Sequence, residues 1–139
     1  MYTISLIPKE NIYSIIPLLK ILDEEIKDEV LKRRLDEMIL QNYECVGVYD
    51  NDKLIGISGL WTLTKYYIGK HIEPDNVVIH PDYRGKKVGE QLMKWIFEYA
   101  QNKGCTASEL NCYVKNRRGV EFWKQHGYKI IGYHFQKQF

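Results

Sequence analysis

The sequence predicts a single α/β domain in which helices cover a mixed β-sheet. Short runs of β-branched and aromatic residues alternate with longer segments whose apolar residues recur every three or four positions. The chain has 139 residues, 45% of them apolar, which is the usual size of one domain, and we expect one domain over residues 1–139. The predicted element order, β-α-α-β-β-β-α-β-α-β, is typical of a mixed sheet with helices on its faces.

The first predicted elements are a short strand and a helical region. Residues 2–6 alternate apolar with more polar side chains, which predicts a strand ended by Pro8. From about residue 9 to residue 39 the apolar residues follow helical spacing. We expect two helices there, or one helix with a break near residues 23–28.

Three further strands are predicted before the next helix. Residues 43–49 and 54–61 are β-rich and are separated by four turn-forming residues, which predicts a hairpin. The third strand either ends there or continues through residues 66–68. Residues 69–70 predict a reversal, and residues 71–79 predict a buried fourth strand ended by a proline.

The last third of the chain predicts two helices and two strands. Apolar residues lie on one helical face from residue 88 to residue 100. A strand is expected at residues 107–114, a helix at residues 116–126 closed by Gly127, and a final strand from residue 128 toward residue 139.

Composition limits the classes of function. Lys and Arg number 20 against 18 for Asp and Glu, so the net charge of +2 predicts neither a nucleic-acid partner nor a membrane partner. No signal peptide or membrane span is indicated. The three cysteines have no CxxC spacing and the four histidines are scattered. We therefore expect a cytoplasmic protein with reduced thiols and no metal.

The fourth strand leads through a basic loop into an amphipathic helix, and this junction predicts a phosphate site. The unpaired N–H groups and the dipole of a helix N-terminus favour an anion. Gly85 and Gly89 would let the anion approach the main chain. Arg84, Lys86 and Lys87 add positive charge at the same place. The alternative is a turn that merely reverses the chain.

This loop resembles the signature of the GNAT superfamily of N-acetyltransferases. The signature is Arg or Gln, two residues, Gly, one residue, then Gly or Ala. The matching residues here are Arg84, Gly85, Lys86, Lys87, Val88 and Gly89. Lys87 departs from the pattern because the family has its first glycine at that position.

A second segment is similar to the same family. The family has an Asn, a small residue, a Phe-Tyr pair and a Gly-Phe pair at fixed spacing after a later strand. The residues at those positions here are Asn116, Gly119, Phe122, Trp123, Gly127 and Tyr128. The resemblance covers nearly the whole chain, because the predicted order of elements is also the family's order.

The resemblance implies acetyl-CoA as co-substrate and a sheet splayed between strands four and five. The pantetheine arm would pair with main-chain groups of Val77, Val78 and Ile79. The N–H of Val78 or of its neighbour would polarise the thioester carbonyl. Asn116 would contact the coenzyme arm; the alternative role of Asn116 is a helix N-cap.

An amine must lose a proton before it attacks a thioester, so a base is expected. Glu73 and Asp75 precede the apolar part of strand four, and period-two alternation places them on the side of Val77 and Ile79. The resemblance favours Glu73 as the base, with Asp75 second and Glu109 in reserve. The alternative is that Glu73 and Asp75 are ordinary carboxylates at the end of a hairpin.

Many family members have a tyrosine as general acid where this chain has Trp123. An indole can donate a hydrogen bond but does not deliver a proton as a phenol does. Either the thiolate of CoA leaves unassisted, or Tyr113 or Tyr128 supplies the proton. Trp123 can equally be a core residue.

The resemblance places the acceptor between the first helices and the hairpin of strands three and four. The entrance for the acceptor would be acidic and aromatic, which favours a cation. It would be formed by acidic residues within 23–29 and by Trp61, Tyr66 and Tyr67. The acceptor would be a primary amine of a small molecule or peptide. The alternative is a solvated helix whose acidic and basic residues pair at i and i+4.

Two other functions compete with catalysis. An acetyl-CoA-binding domain without turnover, acting as a sensor or docking module, fits the departures at Lys87 and Trp123. A nucleic-acid binder is disfavoured by the near-zero net charge. The chain is expected to act as a monomer or a homodimer.

Overall fold

The computed structural model of the chain describes residues 2–139 and contains one five-stranded sheet in the order β1-β2-β3-β4-β5. Neighbours among β1 to β4 are antiparallel, and β5 pairs parallel with β4. The strands are β1 (Thr3–Leu6), β2 (Glu44–Asp50), β3 (Lys53–Lys65), β4 (Gly69–Ile79) and β5 (Ala107–Ser108). The predicted α/β class with a mixed sheet is confirmed.

Four α-helices flank the sheet. A 3₁₀ segment, Lys9–Ile15, leads into the first helix, and residues 23–27 separate the first two helices, as expected. No helix within residues 2–139 is long and apolar enough to cross a bilayer. The helices are α1 (Ile16–Leu22), α2 (Asp28–Leu40), α3 (Val88–Asn102) and α4 (Arg117–Gln125).

The two faces of the sheet carry separate apolar cores. On one face Ile57 and Val78 pack with residues of α1 and α2. On the other face Ile55 and Ile72 pack with α3, whose Leu92 is fully buried. The helices therefore hold β3 and β4 from both sides, and burial of these aliphatic side chains provides the main stabilisation of the fold.

The last two strands differ from the prediction. The fifth strand, expected at residues 107–114, is only Ala107–Ser108, and residues 128–139 form no strand. Ile130 is 74% exposed and Phe135 is 88% exposed. Residue types give a segment a tendency to form a strand, but a strand also needs a neighbour for its N–H and C=O groups. Beyond Glu109 in the first segment, and throughout residues 129–139, no strand within residues 2–139 pairs with them.

The reversal before β4 lies earlier than predicted. β3 continues to Lys65, the turn is at residues 66–68, and β4 already begins at Gly69. Gly69 has a φ of +80°, in the left-handed region that favours glycine. Gly69 thus closes the turn and starts the strand.

Candidate active site

β4 and β5 form a wedge. The two strands pair only where His71 faces Ala107 and Ile72 faces Ser108. The last main-chain hydrogen bond between them runs from the Glu109 N–H to the Ile72 carbonyl at 3.1 Å. Beyond this point β4 keeps β3 as its only partner strand among the described residues. The predicted splay between strands four and five is confirmed, and it leaves one edge of β4 free.

A β-bulge interrupts β4 at the level of the wedge. Ile57 of β3 pairs with Val78, whereas Gly59 pairs with Asp75, so β4 holds one extra residue between these pairs. Asn76 lies in the extra stretch with a φ of 42°, a conformation that Asn tolerates better than most residues. The bulge bends β4 next to the candidate base.

The bulge changes which side chains of β4 share a face. Ile72 before the bulge, and Val77 and Ile79 after it, all pack with the core of α3. Glu73 and Asp75 therefore point to the opposite face. The prediction that they lie on the side of Val77 and Ile79 is wrong, because period-two alternation fails across an inserted residue.

After the bulge, the main-chain N–H groups of β4 point alternately toward β3 and toward the free edge of β4. The N–H of His80 donates to the Ile55 carbonyl of β3 at 2.8 Å. Because main-chain groups alternate along a strand, the N–H of Val78 also faces β3 and that of Ile79 faces the free edge. Of the three residues predicted to pair with the coenzyme, Val78 is already engaged with Ile57 in the sheet.

The carboxylate of Glu73 is held by its neighbours. The Nε2 atom of the fully buried His71 lies 2.8 Å from Glu73 Oε2, and Lys65 Nζ lies 3.5 Å from the same oxygen. The Glu73 side chain is 19% exposed. His71 was not among the predicted site residues, although its position two residues before Glu73 in a strand places both on one face.

Glu109 joins the same group from the other side of the wedge. Its Oε1 lies 3.8 Å from His71 Nε2 and accepts a hydrogen bond from the Tyr67 hydroxyl at 2.5 Å. This bond raises the pKa of Tyr67 to about 12. The structure thus brings together Glu73 and Glu109, two of the three predicted carboxylates, with His71 between them.

Asp75 is in a different environment. Its Oδ2 accepts a hydrogen bond from the Trp61 indole at 3.0 Å, and its Oδ1 accepts one from the Asn76 N–H at 2.9 Å. The Trp61 ring packs on Tyr43, with ring centroids 5.0 Å apart. Both oxygens of Asp75 therefore already accept hydrogen bonds from within the chain.

The predicted phosphate loop leads into α3. Gly85 has a φ of +75° and Lys87, the N-cap of α3, has a φ of +62°. Lys87 thus adopts the conformation that the family's glycine would favour. Arg84, Lys86 and Lys87 are exposed, and Lys86 Nζ lies 5.4 Å from the centre of the Tyr83 ring. Three cations and the first N–H groups of α3 converge here.

Gly89 has a packing role that the sequence did not indicate. A Cβ atom at this position would lie 2.9 Å from Phe122 Cε1. The missing side chain therefore lets α4 approach α3. A larger residue at Gly89 would disturb this helix contact as well as any anion in the loop.

Asn116 caps α4. Its Oδ1 accepts a hydrogen bond from the Gly119 N–H at 2.9 Å. A Cβ at Gly119 would collide with the Asn116 side chain, so the glycine leaves room for the cap. The alternative role considered for Asn116 is thus formed, and only its Nδ2 remains for a coenzyme contact.

Trp123 is half-buried and packs against the core, beside the tyrosine that follows α4. Its ring centroid lies 5.4 Å from that of Tyr128, in an edge-to-face arrangement. The Tyr128 hydroxyl is 2.6 Å from Ser108 Oγ on β5, and burial raises the pKa of Tyr128 despite this hydrogen bond. Tyr113, the other phenol considered, is 84% exposed. Tyr128 is therefore the phenol that contacts β5, at the end of the wedge where β4 and β5 still pair.

On the acceptor side, the contacts of α2 differ from the alternative considered in the sequence, which was a series of ion pairs between residues i and i+4. Asp28 pairs with Lys20 of α1 at 3.3 Å. Lys32 Nζ lies over the Tyr13 ring at 5.7 Å, and the Tyr13 hydroxyl donates to Asp36 at 2.7 Å. No i to i+4 ion pair of α2 is found in the described residues; Asp28, Lys32 and Asp36 instead contact side chains of α1 and the 3₁₀ segment.

Residues 11–128 match the model of the acetyltransferase (GNAT) family. This match covers most of the chain, including the wedge and the basic loop. The chain belongs to the GNAT acetyltransferase family. The family consists of acetyl-CoA-dependent acyltransferases, so the resemblance found in the sequence is confirmed.

Relatives of this GNAT acetyltransferase are named N-acetyltransferases. It is 28% identical to an aminoalkylphosphonate N-acetyltransferase from Salmonella typhimurium, over 78% of each chain. The crystal structure of glucosamine-6-phosphate N-acetyltransferase from Arabidopsis thaliana covers 100% of the chain at 20% identity, with 99% of that structure matched and a TM-score of 0.76. An aminoglycoside N-acetyltransferase in complex with CoA matches 99% of the chain and 94% of its own length at 15% identity, with a TM-score of 0.85.

Proposed function

We propose that the chain transfers the acetyl group of acetyl-CoA directly to the primary amine of a small molecule or peptide. The observation that carries this proposal is the wedge, in which a free edge of β4 lies next to the carboxylate of Glu73. An extended pantetheine arm can pair with Val77 and Ile79 along this edge as another strand would. Its thioester would then lie near Glu73.

The basic loop would bind the pyrophosphate of the coenzyme. The main-chain N–H groups at the start of α3 and three cationic side chains supply the charge that two phosphates require. Asn116 would contact the arm through its free Nδ2. The proposed loop residues are Arg84, Gly85, Lys86, Lys87, Val88 and Gly89.

Glu73 is the proposed base. It takes a proton from the ammonium group of the acceptor, and the neutral nitrogen attacks the carbonyl carbon of the thioester. The N–H of Ile79, which faces the wedge, donates to the oxyanion of the tetrahedral intermediate. The C–S bond then breaks, CoA leaves as a thiolate, and the nitrogen releases its second proton to solvent, which leaves the neutral amide. Asp75 is the second candidate, although both of its oxygens already accept hydrogen bonds.

The names of two relatives suggest which acceptors to test first. An aminoalkylphosphonate and glucosamine 6-phosphate are both amines that carry a phosphorus oxyanion. The carboxylates of Glu73 and Glu109 would attract the ammonium group, and Lys65 beside Glu73 is a cation within reach of an anionic group. We propose small amines of this kind as the first substrate class.

Two measurements test the proposal. Acetyl-CoA at about 100 times its dissociation constant should stabilise the protein by about 2.7 kcal/mol, seen as a higher melting temperature. Amines with and without a phosphonate group should then be compared by release of free CoA thiol. No thermal shift at millimolar acetyl-CoA would contradict the coenzyme site. Binding without turnover of any amine would instead support an acetyl-CoA-binding module.

A further inference from the structure

The bulge of β4 changes the edge toward which its main-chain groups point. Before the bulge, the Lys70 carbonyl accepts a hydrogen bond from the Thr106 N–H at 2.9 Å. The Ile72 carbonyl accepts one from the Glu109 N–H at 3.1 Å. Even-numbered residues of β4 therefore face β5 in this part of the strand. After the bulge, the N–H of the even-numbered His80 faces β3 instead.

The inserted residue therefore decides which main-chain donors reach the wedge. With the bulge, the N–H of Ile79 faces the free edge and the N–H of Val78 faces β3. Without the inserted residue, unbroken alternation would exchange these two positions. The proposed oxyanion donor, the Ile79 N–H, thus depends on the bulge at Asn76.

Two neighbours hold Asn76 in the bulge. Its φ of 42° lies in the left-handed region, where glycine is the usual residue of such bulges. The hydroxyl of the fully buried Tyr43 donates to Asn76 Oδ1 at 3.0 Å. A Cβ at Gly59, on the facing strand, would lie 2.5 Å from both of these oxygens. The hydrogen bond therefore occupies the space that a side chain at Gly59 would fill.

We propose that Tyr43 is a positioning residue for acetyl transfer, which acts through Asn76 on the main-chain donors of the wedge. Its hydroxyl stabilises the left-handed conformation of Asn76, and this conformation keeps the Ile79 N–H aimed at the oxyanion. The effect on turnover rests on the proposed function. The conformation of the bulge does not, because it is measured on protein without acetyl-CoA or amine.

The competing account is that Tyr43 serves only the core. Its ring packs with residues of α1 and α2, and its centroid lies 5.0 Å from that of Trp61. The hydroxyl nevertheless matters to Asn76, whose Nδ2 is buried without a hydrogen-bond partner among residues 2–139. Because such a donor is unfavourable, the Asn76 side chain is held, in the described part of the chain, through Oδ1 by Tyr43. The two accounts differ at glycine, which adopts the left-handed conformation without a side-chain bond.

The first experiment is amide hydrogen exchange, followed by NMR on the protein alone. The N–H groups that face β3, at Val78 and His80, should exchange slowly because they are bonded in the sheet. The N–H groups on the free edge, at Val77 and Ile79, should exchange fast. This pattern reports directly which donors the bulge turns toward the wedge.

Relaxation dispersion on the same protein tests the hydroxyl of Tyr43. Tyr43→Phe should show dispersion at the amide of Asn76, because a buried acceptor that loses its donor raises the population of an alternative bulge by about tenfold. Tyr49→Phe is the matched control and should show none, since it removes a hydroxyl from β2 at a residue that pairs with Thr3 and Leu54.

The second experiment compares Tyr43→Phe in two backgrounds. In the parent it should lower kcat by about tenfold, less than the cost of about 10² to 10³ for removing an oxyanion donor outright. In Asn76→Gly the same change should lower kcat by less than about twofold, because glycine holds the bulge by itself. A packing role of the ring would give equal falls in both backgrounds.

Each of three results would overturn the inference. The first is fast exchange of the Val78 N–H beside slow exchange of the Ile79 N–H. The second is a Tyr43→Phe variant without dispersion at Asn76 or with unchanged kcat, and the third is an equal fall in kcat in the two backgrounds. If Tyr43→Phe fails to fold, Gly59→Ala replaces it, because a Cβ there displaces the same bond. If no amine is turned over, the proposed function fails, and the NMR results still decide whether Tyr43 holds the bulge.

Discussion

The Nε2 atom of His71 lies 2.8 Å from the carboxylate of Glu73, two positions along the same face of β4. His71 is fully buried and its other nitrogen is bonded to the main chain, so the ring has little freedom to turn. The contact restricts the rotamers of Glu73 and holds one of its oxygens. His71 is therefore a positioning residue for the proposed base.

Glu73→Gln keeps the shape of the side chain and removes the base. If Glu73 takes the proton of the amine, turnover should fall by about 10² or more while acetyl-CoA binding is retained. The measurements are the rate of thiol release across pH and the acetyl-CoA melting shift. Asp75→Asn is the matched comparison and should have the smaller effect. An unchanged rate in Glu73→Gln would transfer the role to Asp75 or Glu109.

The orientation of Glu73 shows what the sequence could and could not predict. The strand, the candidate base and the wedge followed from residue types and from family resemblance. The face of Glu73 did not, because it depends on the bulge at Asn76, where Tyr43 donates to the Asn76 side chain at 3.0 Å. That bond joins residues 33 positions apart, and no local periodicity encodes it.

Lys87 offers a test of the coenzyme loop. The left-handed conformation costs an L-residue about 1–2 kcal/mol, and glycine adds about 0.5–1 kcal/mol of unfolded-state entropy. Lys87→Gly should therefore stabilise the fold by up to about 1.5 kcal/mol. Lys87→Ala keeps the strain and removes the same charge. Chemical denaturation compares the two variants.

The same pair of variants separates backbone conformation from charge. If Lys87 contributes charge to pyrophosphate binding, both substitutions should weaken acetyl-CoA binding, and more so at low salt. A Lys87→Gly variant less stable than Lys87→Ala would contradict the left-handed conformation. Unchanged affinity in both would show that the lysine charge does not act on the coenzyme.

Asn116 can be tested for its two roles separately. Asn116→Ala removes the cap and should lower stability by about 1 kcal/mol. Asn116→Asp keeps an oxygen that accepts from the Gly119 N–H but removes Nδ2. If Nδ2 contacts the coenzyme arm, only the aspartate variant combines near-parent stability with weaker acetyl-CoA binding. Equal affinity of Asn116→Asp and the parent would assign Asn116 to capping alone.

Cys45 should be inert in thiol chemistry. Burial raises the pKa of the Cys45 thiol to about 12, so almost no thiolate is present near pH 8. Native protein treated with a thiol reagent should be labelled at Cys105 or Cys112 before Cys45, and unfolded protein at all three. Mass spectrometry of the labelled peptides measures the order in which the three cysteines react. Labelling of Cys45 at the rate of Cys112 would contradict its burial.

The C-terminal segment shows a second limit of sequence reasoning. The sequence predicted a final strand here, and Tyr128 does bond to Ser108 of β5 at 2.6 Å. The following residues are nevertheless exposed and unpaired with any described strand. The tendency to form a strand depends on the residues of the segment itself, whereas strand pairing also requires a neighbouring strand with a free edge. β5 has an edge of only two residues.

The last prediction concerns the proton that the departing thiolate needs. Trp123 stands at the position of the family's acid but packs edge-to-face on Tyr128, whose hydroxyl contacts Ser108 of β5 where β4 and β5 still pair. A tyrosine phenol is protonated at neutral pH and so has a proton to give, although burial, which raises the pKa of Tyr128, makes it a weaker acid. We therefore expect Tyr128, and not Trp123, to be the group whose removal slows turnover.

The paired variants are Trp123→Phe and Tyr128→Phe, which both keep an aromatic ring. Trp123→Phe should lower turnover by less than about tenfold, through packing alone, whereas loss of a true general acid typically costs about 10² to 10⁴. Stability must be measured with the rate, because both rings belong to the core around α3 and α4. A fall above about 10² in folded, acetyl-CoA-binding Trp123→Phe would show that the indole is chemically necessary. If neither variant loses more than about tenfold, CoA leaves as an unassisted thiolate, which its thiol pKa of about 8.5 allows.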